Sequence, residues 1–253
     1  MPDRPLAHAM TDWSSRMRDR SAVEAQYSTT DRLSRRLSIW GPGPEGVDPN
    51  VLLRDAIVTL HPRRAVEIGC GTGALAASVC RVLPSCDYLA TDLSPAMVAA
   101  TAAHGVRAEV SDAGSLPVPD GWADVVVAAW MLYHVPDLDG VLREVARVLA
   151  PDGTLLAVTN GDRHLATLLA DVGVGPAQTQ FSSENGAASL REHFGEVSQR
   201  DVETLATFPD HGAATAYLDT IDPTLGAALP AFQGPRSDAG FTTIFTARNP
   251  RPF

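Results

Sequence analysis

Lysine is absent from all 253 residues; every one of the 20 basic side chains is an arginine. A chain without lysine has no Schiff-base amine for pyridoxal phosphate and no P-loop lysine. It also lacks a kinase strand lysine and a Tyr-x-x-x-Lys dehydrogenase pair. Cysteine is scarce: Cys70, Cys80 and Cys86 are odd in number and show no metal-site spacing. Reduced thiols are therefore expected. No apolar run reaches the roughly 18 residues of a membrane span, and MPDRPLAHAM has no apolar signal core. The expected location is the cytoplasm, away from any membrane. A surplus of positive charge is missing too. Thirty acids against 20 bases leave a net charge of −10, which argues against nucleic acid or an anionic membrane as partner.

What remains is an ordinary apolar content of 45% and a strong rhythm. Residues 8–40 mix arginines with large apolar residues, and Leu33, Leu37 and Trp40 fall at helical spacing. One or two amphipathic helices are expected there, ended by GPGPEG at 41–46. A further helix over 51–60 closes at His61-Pro62. From residue 64, strands at 65–69, 87–92, 107–112, 123–130 and 153–160 alternate with helices at 74–83, 95–104 and 138–149. That order predicts an α/β, Rossmann-like, doubly wound sheet. Helices are expected over 163–169 and 185–194. The β-branched runs 196–208 and 241–248 suggest a terminal hairpin with a helical insertion at 209–235. The division implied is a helical N-terminal lid over 1–46 and a ligand-binding domain over 47–253.

The strongest local signal is Val66-Glu67-Ile68-Gly69-Cys70-Gly71-Thr72-Gly73, between a strand and a helix. Alternating glycines allow a sharp turn and close approach of backbone to ligand. The following helix offers free amides and a positive dipole end. Gly69-x-Gly71-x-x-Ala74 also fits the dinucleotide pattern, so the loop alone leaves NAD and other adenosine ligands open. Two acids narrow the choice. Asp92 ends the second strand, where a carboxylate can accept from both ribose hydroxyls. Asp112 ends the third, where it can accept from an adenine amine. Glu67 would repel a pyrophosphate and favour a cationic ligand.

Taken together, AVEIGCGTG, YLATDLSPAM, AEVSDAGSLPVPDGWADVVVAAWMLYHVPD and LREVARVLAPDGTLLAVTNG resemble a class I S-adenosylmethionine-dependent methyltransferase over roughly residues 60–160. The resemblance implies a seven-stranded sheet with an antiparallel last strand. It implies S-adenosyl-L-methionine as cofactor and S-adenosylhomocysteine as product. Gly69, Gly71 and Gly73 would wrap the methionine part, with Cys70 contributing backbone only. Asp92, beside Leu93, would hold the ribose; Asp112 and the Ala113 amide would read adenine, with Met97 packed nearby. Trp130 stands where comparable enzymes do not usually carry tryptophan, which implies a different pocket mouth. Tyr27 with Arg36, MLYHVPD, TNG and FSSENG are similar to a branch of bacterial small-molecule methyltransferases.

Methyl transfer from a sulfonium needs an aligned nucleophile, exclusion of water and, for an alcohol, a base. His134, just after the fourth strand, is the candidate base, with a loop-capping role as its alternative. Tyr27 is the second candidate, reaching from the lid, or else a staple docking it. Tyr133, Arg36, Asn160 and Asn185 are candidate substrate contacts. Arg36 could instead pair with a surface acid, and Asn160 could serve a turn. No histidine or cysteine clustering predicts a metal, and Asp162 stands alone after the fifth strand, where magnesium-dependent catechol methylation would want an acid cluster.

The expected activity is methylation of a small metabolite of specialised metabolism at a heteroatom, oxygen first and then nitrogen or sulfur. Residues 8–40 and 209–235 would set acceptor choice. A non-catalytic adenosyl-ligand binder, an RNA or protein methyltransferase and an NAD oxidoreductase are the alternatives. The sequence leaves the oligomeric state open, and a homodimer is compatible with it.

Overall fold

The computed structural model describes residue 33, residues 36–176 and residues 178–251. Tyr27 and most of the segment expected to form the lid helices lie outside them.

Local chemistry explains where the elements start. Helix α1 (Pro49–Leu60) opens with Asp48, whose side chain accepts from the Asn50 amide, and with Pro49 at its first turn. Strand β2 (Arg64–Ile68) leads into the glycine loop and helix α2 (Ala74–Val82). Strand β3 (Asp87–Asp92) leads into α3 (Pro95–Ala102), capped by Ser94. After β4 (Arg107–Val110) and β5 (Ala123–Ala129) comes α4 (Leu138–Val148), capped by Asp137. Strand β6 (Leu149–Asn160) is followed by α5 (Ala166–Asp171) and α6 (Gly186–His193). Strands β7 (Phe194–Phe208) and β8 (Arg236–Pro250) form the expected long antiparallel pair. Helices α7 (His211–Ile221) and α8 (Pro223–Ala228) lie between them in sequence.

With the short strand β1 (Trp40–Pro42) at one edge, the sheet order is β1-β7-β8-β6-β5-β2-β3-β4. Strands β4, β3, β2, β5 and β6 are parallel, and β8 runs against them. The direction of winding reverses between β2 and β5, so the loops leaving their carboxyl ends diverge and open a crevice. Successive residues of β5 face opposite layers: Val126 and Ala128 join the core that includes α4, while Val125 and Val127 join the one beneath α1 and α2. Five residues of α4, from Val141 to Val148, are buried on one face.

One expectation is corrected. The sheet has eight strands, because Trp40–Pro42 is an edge strand, β1, rather than the end of a helix. Trp40 pairs with Ala206, Gly41 with Leu205 and Pro42 with Thr204. The helix ends at Leu37; beyond it, the open edge of β7 supplies backbone partners that a short helix end does not. Pro42 is tolerated there because an edge position needs no donor on its outer side. A third apolar cluster, with Leu168, Leu169, Phe208, Tyr217 and Leu218, packs against Ile39 and Trp40. It ties the start of the described chain to α5 and to the insertion between β7 and β8.

Gly240 of β8 lies under Trp40: a Cβ there would run into the indole and the Thr204 hydroxyl. Gly240→Val is expected to cost about 1–3 kcal/mol and to lower Tm by several degrees. Gly41→Ala places its Cβ 3.9 Å from its nearest neighbour and should change stability by less than about 0.5 kcal/mol. Thermal melts of the two variants check the seating of β1.

Candidate active site

The crevice is a cavity of about 1090 Å³. Its floor is built by the loop after β2. Gly69, Gly71 and Gly73 all have positive φ, at 69°, 53° and 79°. At Gly73 the requirement is doubled, since a Cβ would lie 2.7 Å from the Thr101 backbone of α3. Gly73 thus seats α2 against α3, while Gly69, Cys70 and Gly71 line the cavity. The Cys70 amide donates to Thr91 O at 3.0 Å. Burial pushes its thiol up to about 12, so Cys70 offers backbone and no thiolate.

Two carboxyl groups face this floor. Asp92 Oδ2 accepts from the Gly71 amide at 3.0 Å, and Oδ1 accepts from the Ser94 amide at 2.9 Å. A carboxylate has about four acceptor sites, so lone pairs remain for a ligand in the cavity that Asp92 lines. Burial raises its pKa, against the pull of those amides. Glu67 is 2% exposed and accepts from the Tyr88 hydroxyl at 2.8 Å. Burial raises its carboxyl to about 8; the Tyr88 bond opposes the shift and the nearby Asp92 charge adds to it.

The other predicted cofactor residues divide. Leu93, Asp112, Ala113 and Trp130 line the cavity. Asp112 is exposed and accepts from the Gly114 amide at 2.9 Å. Met97 is fully buried, with no face among the cavity-lining residues.

Opposite the floor, β5 ends in a strained residue: Trp130 has φ 53°. Its indole donates to Asn160 Oδ1 at 3.1 Å, and Thr242 Oγ1 donates to the same oxygen at 3.3 Å. Tyr133 and His134 follow in a 3-10 turn (Leu132–His134), their rings 4.5 Å apart, and both line the cavity. Gln180 Nε2 fastens that turn by donating to the carbonyls of Leu132 and Val135. Arg36 lines the cavity but spends its guanidinium on α7: Nε donates to Thr220 Oγ1 at 2.9 Å and Nη2 to Thr220 O at 3.2 Å. Asn185 is placed elsewhere. Its amide donates to Thr179 O and accepts from Ser182 N, both at 2.7 Å, and it does not line the cavity. The structure therefore brings His134, Tyr133, Arg36 and Asn160 to one space, and leaves Asn185 shaping a loop.

Sequence reasoning missed Trp40, His164 and Tyr217, which also line this space. It missed as well the approach of Asp139, Glu192 and His193, whose ligand atoms lie within 4.8 Å of one another between α4 and α6. That trio is away from the cavity, and His193 Nε2 is 3.0 Å from Asp139 Oδ1.

A carboxyl whose pKa rises from 4.5 unfolded to about 8 folded stabilises the fold below the lower value. That contribution is lost as pH climbs through the upper one. Ligand-free protein is expected to lose on the order of a few kcal/mol between pH 5 and pH 8 from this group. Glu67→Gln, neutral at every pH, should flatten the profile, as chemical denaturation across that range would show.

Comparison with known proteins follows this geometry. A methyltransferase-domain family profile matches residues 66–157. The chain is 30% identical over 171 residues to a malonyl-[acyl-carrier protein] O-methyltransferase of Halorhodospira halophila, covering 66% of this chain and 52% of that one. It is 35% identical over 125 residues to a ubiquinone biosynthesis O-methyltransferase of Xanthomonas oryzae, covering 47% and 52%. The chain thus spans about half the length of the curated relatives it matches. Among solved structures, the YcgJ protein of Bacillus subtilis superposes with a TM-score of 0.58 at 17% identity, covering 80% of this chain and 100% of that one. With the glycine loop, Asp92, Asp112 and the parallel strands on the page, residues 66–157 are those of a methyltransferase domain.

Proposed function

We propose that the protein transfers a methyl group from S-adenosylmethionine to a small-molecule heteroatom, oxygen first, in specialised metabolism of the cytoplasm. The observation that carries this reading is the buried Glu67 carboxyl beside Asp92 at one end of the cavity. A buried acid held by a tyrosine hydroxyl, with no basic side chain bonded to it among the described residues, suits an incoming ammonium. Neutral or ionised, it offers a pyrophosphate no positive charge, which disfavours NAD.

The bound cofactor supplies a methyl group on a cationic sulfur, already activated toward in-line displacement. The protein's share is placement and proton removal. The Gly69–Gly71 loop and Glu67 would hold the amino-acid end. Asp92 would accept from the ribose hydroxyls, and Asp112 with the Ala113 amide would meet the adenine. Trp130 would close the space above the sugar. His134 would take the acceptor's hydroxyl proton as the oxygen–carbon bond forms, with Tyr133 beside it and Asn160 donating from β6. Tyr27 lies outside the described residues, and Arg36, ahead of the edge strand β1, would brace the N-terminal segment on the insertion through Thr220. A net charge of −10 supports a small acceptor over RNA. Among the described residues no helix is long and apolar enough to cross a membrane.

Calorimetry with S-adenosylmethionine against NAD, followed by turnover on a panel of phenols, tests the reading. Binding of S-adenosylmethionine with no turnover on phenols, amines or thiols would leave a non-catalytic binder. Asp92→Ala is expected to weaken cofactor binding at least about tenfold, the loss of charge-assisted hydrogen bonds; unchanged affinity would reject the ribose assignment. His134→Ala should slow methylation of a phenol about a hundredfold while cofactor affinity holds within about twofold. Equal loss of both would reduce His134 to a loop residue.

A further inference from the structure

We infer that His164 and Asn160 form a paired hydrogen-bond-donor subsite that selects a flat, neutral acceptor molecule bearing a carbonyl oxygen, with His164 as the specificity-determining member. The inference rests on the methyl-transfer reading for the cavity's role as an acceptor site.

The protonated nitrogen of His164 follows from its neighbours. The Phe241 amide donates to His164 Nδ1 at 3.2 Å. We assign Nδ1 as the acceptor of this N–H, the tautomer that leaves the proton on Nε2. The Phe241 carbonyl, 3.3 Å from the same Nδ1, then keeps the Gly161 amide as its donor at 2.9 Å. Nδ1 faces β8, so Nε2, across the ring, points away from the sheet in a residue that lines the cavity. It has no partner among the described residues. Burial lowers the pKa of His164 to about 4. The ring is therefore neutral near pH 7, a donor that neither gains a charge nor serves as a base.

Asn160 is oriented by the same strand. The Trp130 indole and the Thr242 hydroxyl both donate to its Oδ1. An indole has no acceptor, so the amide cannot flip, and its NH₂ has no partner among the described residues. Adjacent residues of β8, Phe241 and Thr242, thus fix two neutral donors on one cavity wall. Both lie next to backbone held at positive φ without glycine: Trp130 at 53° and Leu165 at 58°. Such strain persists only where the surroundings over-determine it.

The wall around the donors sets the acceptor's shape and charge. The Trp40 ring lies 4.6 Å from that of His164 at an interplanar angle of 31°, and Leu165, Leu169 and Tyr217 continue the surface. A flat, largely apolar body suits this lining. An anion does not: Asp219 and Asp222 line the same cavity, while Arg36 is bonded to Thr220.

Calorimetry on the full chain, with and without S-adenosylhomocysteine, can test this with two probes. One is a hydroxychromone; the other is the hydroxychroman that lacks its carbonyl. Wild type is expected to bind the chromone about fivefold or more tighter, the value of a buried neutral hydrogen bond. His164→Gln, whose NH₂ falls near the Nε2 position, should keep most of that preference. His164→Asn, whose amide reaches only to Nδ1, should reduce it to within about twofold. No preference in wild type, its survival in the asparagine variant, or its loss in the glutamine variant would each overturn the subsite. Failure of wild type to bind S-adenosylhomocysteine would instead overturn the methyl-transfer reading. The probe preference of the cofactor-free protein then reports on the subsite alone.

Discussion

The Asp92 carboxylate joins the end of one strand to the glycine loop 21 residues before it and to the start of the helix that follows. It ends β3, it accepts from the amide of Gly71 in the loop after β2, and it accepts from Ser94 at the start of α3. Each bond is modest by itself, since exchange with water leaves a net value near 1–3 kcal/mol for a hydrogen bond to a charged group. Their effect on geometry is larger. The glycine loop has little intrinsic preference for one conformation, and these bonds select the one that opens toward the crevice. Gly73 completes the arrangement by letting α2 and α3 touch. Without a carboxylate at position 92, the loop would keep its flexibility and the floor its unsatisfied amides.

The far wall is built differently. Its residues come together through contacts long in sequence: Trp130 with Asn160 across 30 positions, His164 with Phe241 across 77, and Arg36 with Thr220 across 184. Strand β8 is the common reference. It runs against β6 from Thr242 opposite Asn160 to Arg248 opposite Thr154, so the carboxyl end of β6 meets the part of β8 that carries Phe241 and Thr242. The antiparallel strand thus does more than extend the sheet. It turns side chains and backbone groups toward a cavity that parallel strands alone would border on one side only.

This contrast explains what could be read from the sequence. The floor was legible because its signals are local: glycines at fixed offsets, an acid ending β3 and another just beyond β4, a serine-proline helix start. The parallel strands were legible from their apolar runs and spacing, and the long pair β7–β8 from alternation. Trp40 was misread because helical periodicity cannot see the open edge of β7, a partner more than 160 residues away by the pairing of Trp40 with Ala206. Asn185 looked like a pocket residue from its motif, yet its amide closes a loop between Thr179 and Ser182. His164 carried no signal at all. A lone histidine in a polar stretch becomes informative only when Phe241 is seen to hold its Nδ1 and burial to hold it neutral.

The same contrast has a consequence for divergence within the family. The matched stretch, residues 66–157, leaves out Asn160, His164, Thr242 and the Trp40 edge. Substitutions in the floor disturb amides and carboxylates that stabilise one another, so they cost binding and stability together. Substitutions on the far wall change single donors or ring faces in a lobe with its own apolar cluster, packed apart from the glycine loop. On the methyl-transfer reading, a fold arranged in this way could exchange acceptors without re-forming its cofactor floor, because the two sides share a cavity but few bonds. One contact that crosses runs through the residue after Trp130: a Cβ on Gly69 of the floor would lie 2.9 Å from Met131 Cβ. On the proposed reading, the end of β5, with Trp130 strained into positive φ, is therefore where a change of acceptor would reach the cofactor side.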